Sequence, residues 1–75
     1  MRVLFFGSLA ENAGVTELSI NSINTLAALR EYIFKKYPAF DNRVFAVAVN
    51  EAIVTGDMTL KESDEVAFMP PFSGG

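Results

Sequence analysis

Three strongly apolar runs, separated by polar and turn-forming segments, set the pattern of this chain. Arg2 to Gly7 (RVLFFG) is a continuous β-branched and aromatic run, as expected for a central strand covered on both faces. Ser8 to Gly14 holds small and turn-forming residues. Thr16 to Ile20 (TELSI) then alternates, with Leu18 and Ile20 on one face of a half-buried strand. The two strands read as a hairpin with a long connection.

Thr25 is a good N-cap for the segment that follows. Leu26, Leu29, Ile33 and Tyr37 recur at helical spacing, Lys35 and Lys36 sit where a helix C-terminus favours cations, and Pro38 stops the helix. Ala39 to Arg43 is a connection. Val44 to Val49 (VFAVAV) is the second apolar run; Asn50-Glu51 turns it into Ala52–Val54, and Thr55-Gly56-Asp57 turns again. Met58-Thr59-Leu60 is ambiguous. A polar turn over 61–64 precedes the last strand, Glu65–Met69.

One helix has one stripe to bury, and a mixed sheet has one face to cover it. If the apolar runs near the two ends of the chain are both central, they pair side by side. The expected fold is therefore α+β, a β-grasp arrangement in which a mixed sheet packs over one main helix. We expect a β-grasp domain over residues 1–69 and an extended C-terminal tail over 70–75.

Composition narrows the chemistry. A chain of 75 residues buries only about 60–65% of its unfolded surface, and its apolar content of 51% leaves room for apolar surface that serves a partner. The formal charge is −3, and Lys35-Lys36 is the only adjacent basic pair, so neither nucleic acid nor an anionic membrane is an expected partner. The apolar run after Met1-Arg2 is too short for a signal peptide, and a cytoplasmic protein is expected. With no Cys and no His, there is no thiol nucleophile, no imidazole base and no ordinary zinc site. Asp64-Glu65 reads as a turn and a solvated edge, and Tyr32 and Tyr37 read as packing residues.

The end of the chain, FMPPFSGG, is what remains. Pro70 and Pro71 donate no backbone hydrogen bond and favour an extended path. The six residues Pro70 to Gly75 reach about 18–21 Å when extended. Gly74 and Gly75 give the last stretch the smallest cross-section, so a carboxylate on this flexible stalk could pass a channel too narrow for any Cβ. A frayed terminus is the alternative, but Phe72 between a proline pair and a diglycine is unusual for one.

The run Asp64 to Gly75, DEVAFMPPFSGG, resembles the DEVAFFPPVxGG-like end of the MoaD family, the small sulfur-carrier subunits of molybdopterin synthase. Val3–Gly7 is similar to that family's opening strand, Thr25–Arg30 to its helix start and Val47–Asn50 to its third strand. Met69 and Phe72 stand where Phe and Val are common, and Leu9-Ala10-Glu11 lacks the arginine of the usual Leu-Arg-Glu element.

The resemblance implies a ubiquitin-like β-grasp fold and a carrier role in molybdenum cofactor biosynthesis. Gly75 would be adenylated by a ubiquitin-activating-type enzyme that uses ATP, and then converted to a thiocarboxylate. The sulfur donor would be a protein such as a cysteine desulfurase or rhodanese. The tail residues Pro70, Pro71, Phe72, Ser73 and Gly74 would enter the large subunit of molybdopterin synthase, within a heterotetramer, and Gly75 would give its sulfur to a pterin precursor. Phe68, Met69 and outward-facing apolar side chains of the sheet would form the docking surface. No tightly bound cofactor or metal is implied, and the catalytic side chains would belong to the large subunit. Two other readings are a carrier for thiamine thiazole synthesis, tRNA thiolation or another pathway, and a β-grasp binding module with an inert tail.

Overall fold

The computed structural model describes residues 1–42 and 44–71. Five strands, β1 (Arg2–Phe5), β2 (Glu17–Ser19), β3 (Ala46–Val49), β4 (Ala52–Val54) and β5 (Glu65–Met69), form one sheet in the order β2-β1-β5-β3-β4. The runs near the two ends pair as expected: β1 and β5 are parallel, with Val3 opposite Val66 and Phe5 opposite Phe68. The other three pairings are antiparallel.

The main helix, α2 (Leu26–Lys36), starts where its first amides find acceptors. Leu26 donates to the Met58 carbonyl at 2.9 Å, Ala27 to Asp57 Oδ1 at 2.8 Å, and Ala28 to Thr25 Oγ1 at 3.2 Å. Thr25 is thus the N-cap, and the 56–59 segment closes the rest of the turn. At the other end Tyr37 donates to the Ile33 carbonyl at 2.8 Å, and Pro38 opens a 3₁₀ helix over Pro38–Asn42.

Two expectations need correction. Ser8 to Gly14 is not a loop: Ser8–Ala13 is a short helix, α1, which buries Leu9 and ends at Gly14 in the left-handed region (φ 77°). The second apolar run enters the sheet only at Ala46, and Val44 is 78% exposed. Met58–Leu60 contributes no strand of its own, only an isolated bridge between Thr59 and Thr25.

The core lies between one sheet face and α2. Alternation along the strands sends Val3, Phe5, Val47, Val49, Val66 and Phe68 inward, where they meet Leu26, Leu29, Ile33, Leu9 and Phe40. The aromatic rings hold the end of the core nearest the tail. Phe40 meets Phe5 edge-on at 5.5 Å between centroids, and Phe45 meets Phe68 in the same way at 5.4 Å. Tyr37 also packs on Phe5, whereas Tyr32 lies on the outer helix face, 40% exposed.

The turn before β5 is tied to the β3–β4 hairpin by hydrogen bonds. Asp64 accepts from the Lys61 amide at 2.8 Å and from the Asn50 side chain at 3.0 Å, and Glu65 donates its amide to Asn50 Oδ1 at 3.0 Å. The Lys61 amide, and then the Asn50 side chain, hold the Asp64 carboxyl below its ordinary value of 3.8.

Truncating Phe40 to Ala should cost about 3–5 kcal/mol, comparable with the whole stability of a small domain. The cooperative urea transition should then be largely lost at 25 °C. Tyr32→Ala, on the exposed helix face, should change stability by no more than about 0.5 kcal/mol. For Asp64, a folded-state value below the unfolded one means stability that is present above pH 3.8 and lost as pH falls through the folded value. Asp64→Asn should therefore lower the melting temperature at neutral pH, with the gap to wild type closing below pH 3.8 in a pH series of thermal melts.

Candidate functional site

Side chains that alternate away from the core make the opposite sheet face, and among the described residues no helix covers it. On β1 these are Arg2 and Leu4, on β5 Glu65, Ala67 and Met69, and on β3 Ala46 and Ala48. Phe6, just past β1, is 47% exposed, and Ile53 on β4, opposite Ala48, is 55% exposed. Leu4, Phe6, Ala48, Ile53, Ala67 and Met69 line a shallow hollow of about 360 Å³, with Glu51 and Glu65 at its rim. The RVLFFG and EVAFM runs are thus continuous although this chain covers only one of their faces. Among the described residues the other face is apolar and uncovered, which corrects the expectation of a strand covered on both sides.

Charge is confined to one end of this face. Arg2 grips Glu17 through Nε at 3.0 Å and Nη2 at 3.2 Å, and reaches Glu65 through Nη1 at 2.7 Å, linking β2, β1 and β5. The hydrogen bond from Arg2, reinforced by its charge, holds the Glu17 carboxyl below its usual range, and the Arg2 guanidinium is correspondingly raised. Met69 lies at the other end, so the apolar end of the hollow is also where β5 stops and the tail begins.

The two expected docking residues separate. Met69 is half-buried and faces the hollow, but Phe68 is 0% exposed and belongs to the core. The error is one of parity: Glu65 faces solvent, so Phe68, three positions on, must face inward. Of the tail, Pro70 is half-buried and Pro71 exposed; Phe72, Ser73, Gly74 and Gly75 lie outside the described residues. Sequence reasoning did not single out Leu4, Phe6, Ala48 or Ile53. The available signal was the lack of alternation in their runs. Among the described residues no group of three or more His, Cys, Asp or Glu side chains could hold a metal ion, and no helix is long and apolar enough to cross a membrane.

Comparison with known proteins gives the site its context. The ThiS family pattern matches residues 3–75. The molybdopterin synthase sulfur carrier subunit of Escherichia coli (strain K12) is 35% identical over 81 residues, spanning all of this chain and 99% of the relative. Among solved structures, the small archaeal modifier protein 1 of Methanosarcina acetivorans superposes with a TM-score of 0.84 at 26% identity, over 99% of this chain and 94% of the other. Subunits 1 and 2 of the molybdopterin-converting factor of Helicobacter pylori 26695 form a protein–protein complex; one of its chains superposes at 0.74 with 28% identity, over 99% and 96%. The chain therefore belongs to the ThiS family, with the ubiquitin-like β-grasp fold, and is a relative of the molybdopterin synthase sulfur carrier subunits.

Proposed function

We propose that this protein is the sulfur carrier of molybdopterin synthase and works in the cytoplasm. The observation that carries the reading is the end-to-end similarity to a molybdopterin synthase sulfur carrier subunit, with a family match that runs through the tail to residue 75. The Gly75 carboxylate attacks the α-phosphorus of ATP on an activating enzyme; pyrophosphate leaves and an acyl-adenylate remains. The terminal sulfur of a donor-protein persulfide then displaces AMP to give an acyl disulfide. A second thiol attacks the donor-side sulfur, leaving a disulfide there and releasing the thiocarboxylate on Gly75. The terminal sulfur is the nucleophile delivered to the pterin precursor inside the large subunit. ATP is thus consumed by the activating enzyme, and this chain needs no resident cofactor.

This division of labour suits a chain without cysteine, because the sulfur is held on the terminal carbon itself. Pro70 and Pro71 reduce the entropy lost when the tail enters its channel. Phe72 supplies an apolar anchor within it, and Ser73 and Gly74 lead to the reacting carbon. Positioning of that carbon by the partner contributes much of the acceleration. The open sheet face is the docking surface in this reading. It is apolar, it adjoins the root of the tail, and the related Helicobacter pylori chain occurs in a two-subunit complex. Met69 and Ile53 take part through side chains that face the hollow.

A second reading draws on the 26% identity, over 99% of this chain, to a small archaeal modifier protein. In it the activated Gly75 passes to an amine of a target protein instead of accepting sulfur. The first experiment separates the two: intact mass after incubation with ATP, a sulfur donor and an activating enzyme proven on a known carrier. Exchange of one oxygen for sulfur, lost on deletion of Gly75, supports the carrier. Transfer to protein amines without that exchange supports the modifier, and an unchanged mass with no adduct sinks both.

Ile53→Glu tests the docking face. It should weaken association with the large subunit at least about tenfold, as measured by calorimetry. Its effect on stability should stay within about 0.5 kcal/mol, because the side chain is exposed. Unchanged affinity would place the docking surface elsewhere.

A further inference from the structure

The corner where the tail leaves the sheet contains a contact that neither the motif nor the open face explains. In a parallel pair the ladder bonds alternate in direction along the strands. Phe6 donates its N–H to the Phe68 carbonyl at 3.0 Å. The next bond in register would run from the N–H of residue 70 back to the Phe6 carbonyl. Residue 70 is proline and has no N–H to give.

The Phe6 carbonyl is taken instead by the Leu9 N–H at 3.1 Å, and the Gly7 carbonyl by the Ala10 N–H at 3.1 Å, so α1 starts at this point. Gly7 is the residue that turns the chain from β1 into α1, at φ 57° and ψ −136°, a conformation that L side chains rarely adopt. It also lies against the tail. A Cβ on Gly7 would stand 2.9 Å from Pro70 Cγ and 3.4 Å from Pro70 Cδ. The first of these is closer than real Cβ contacts come, so the ring would have to move.

We propose that Gly7 is a positioning residue for the chemistry at Gly75. Its missing side chain seats the Pro70 ring on the β1–α1 corner and so fixes the direction in which the root of the tail leaves the sheet. The assignment rests on the carrier reading above. Displacing the Pro70 ring re-aims Pro71, where the tail leaves the sheet, while Leu4, Ile53 and Ala67 on the docking face stay in place. A defect of this kind acts on the reacting carbon and not on binding. It therefore lowers kcat and leaves KM unchanged.

Gly14 provides an internal control. It has the same sign of φ, 77°, but a Cβ there meets nothing within 4 Å. Gly14→Ala therefore introduces backbone strain without touching the tail.

The test is the exchange of labelled pyrophosphate into ATP by an activating enzyme proven on a known carrier, using the full chain. Wild type, Gly7→Ala, Gly14→Ala and Pro70→Ala are compared, with a thermal melt of each. Gly7→Ala is expected to lose at least about tenfold in kcat with KM unchanged. Gly14→Ala should lose melting temperature only. Pro70→Ala keeps Gly7 but restores an N–H that competes with Leu9 for the Phe6 carbonyl, and it should also lower kcat. A Gly7→Ala protein with the kcat of Gly14→Ala overturns the proposal. If Gly7→Ala does not fold, Pro70→Ala decides alone, and a wild-type kcat for it is the overturning result. No exchange with wild type would remove the carrier reading and this proposal with it, an outcome distinct from normal exchange in every variant.

Discussion

The parallel pairing of β1 with β5 is the constraint on which the rest of the structure depends. It joins residues more than sixty positions apart, Arg2 with Glu65 and Phe5 with Phe68, and makes the whole intervening chain a crossover. Such long-range pairing yields little until both strands are in place, so its stability must come from what packs on it. The Phe5 and Phe68 rings stack at 5.8 Å, Phe40 meets both, and α2 seals the same face. The sheet order makes β5 the central strand, held by β1 on one side and β3 on the other. A segment that continues from a central strand is anchored where local opening costs nearly as much as unfolding the domain. A tail inserted into a partner's channel gains from such a base, because little of the binding energy is lost to movement at its root.

The same pairing explains the open face. A five-stranded sheet with all its helices on one side leaves every second side chain unlayered. In many antiparallel sheets those positions are polar. Here Leu4, Phe6, Ile53 and Met69 occupy them, and charge gathers at the far end as Arg2 with Glu17 and Glu65. The edge strands β2 and β4 are only three residues each, which limits edge-to-edge pairing with other chains. Apolar surface concentrated on the face, with short edges beside it, suits a partner that lies across the sheet better than one that extends it.

Much of this was legible in the sequence. The Leu26–Leu29–Ile33 stripe, the Thr25 cap and the Pro38 stop defined α2, and the two apolar runs near the ends of the chain predicted their own pairing. Three features were not legible, for separate reasons. The helix Ser8–Ala13 is too short to show a period, and it carries a single buried residue, Leu9. It starts at the corner where the Leu9 N–H takes the Phe6 carbonyl, a carbonyl that Pro70 has no N–H to reach. The face of Phe68 was hidden by the continuity of its run, although Glu65 settled the parity. The third is Gly7, which reads as the end of a strand; its contact with Pro70 exists only once β1 and β5 are side by side. The diglycine motif could be read locally, but the geometry of its root could not.

The two prolines therefore do different work. Pro70 is half-buried and in register with β1, and its missing N–H ends the ladder at Phe68. Pro71 is exposed and extends the chain beyond the corner. Reduced to one proline, the segment would either continue the ladder or lose its stiff exit. In the carrier reading the reacting group is the terminal carboxylate, and this chain has no Cys or His side chain with which to select its reaction. Its contribution is a terminal carboxylate on a tail whose root, Pro70, lies against Gly7 beside the open sheet face. Selectivity must then arise from that geometry, and the residues that set it include one with no side chain at all.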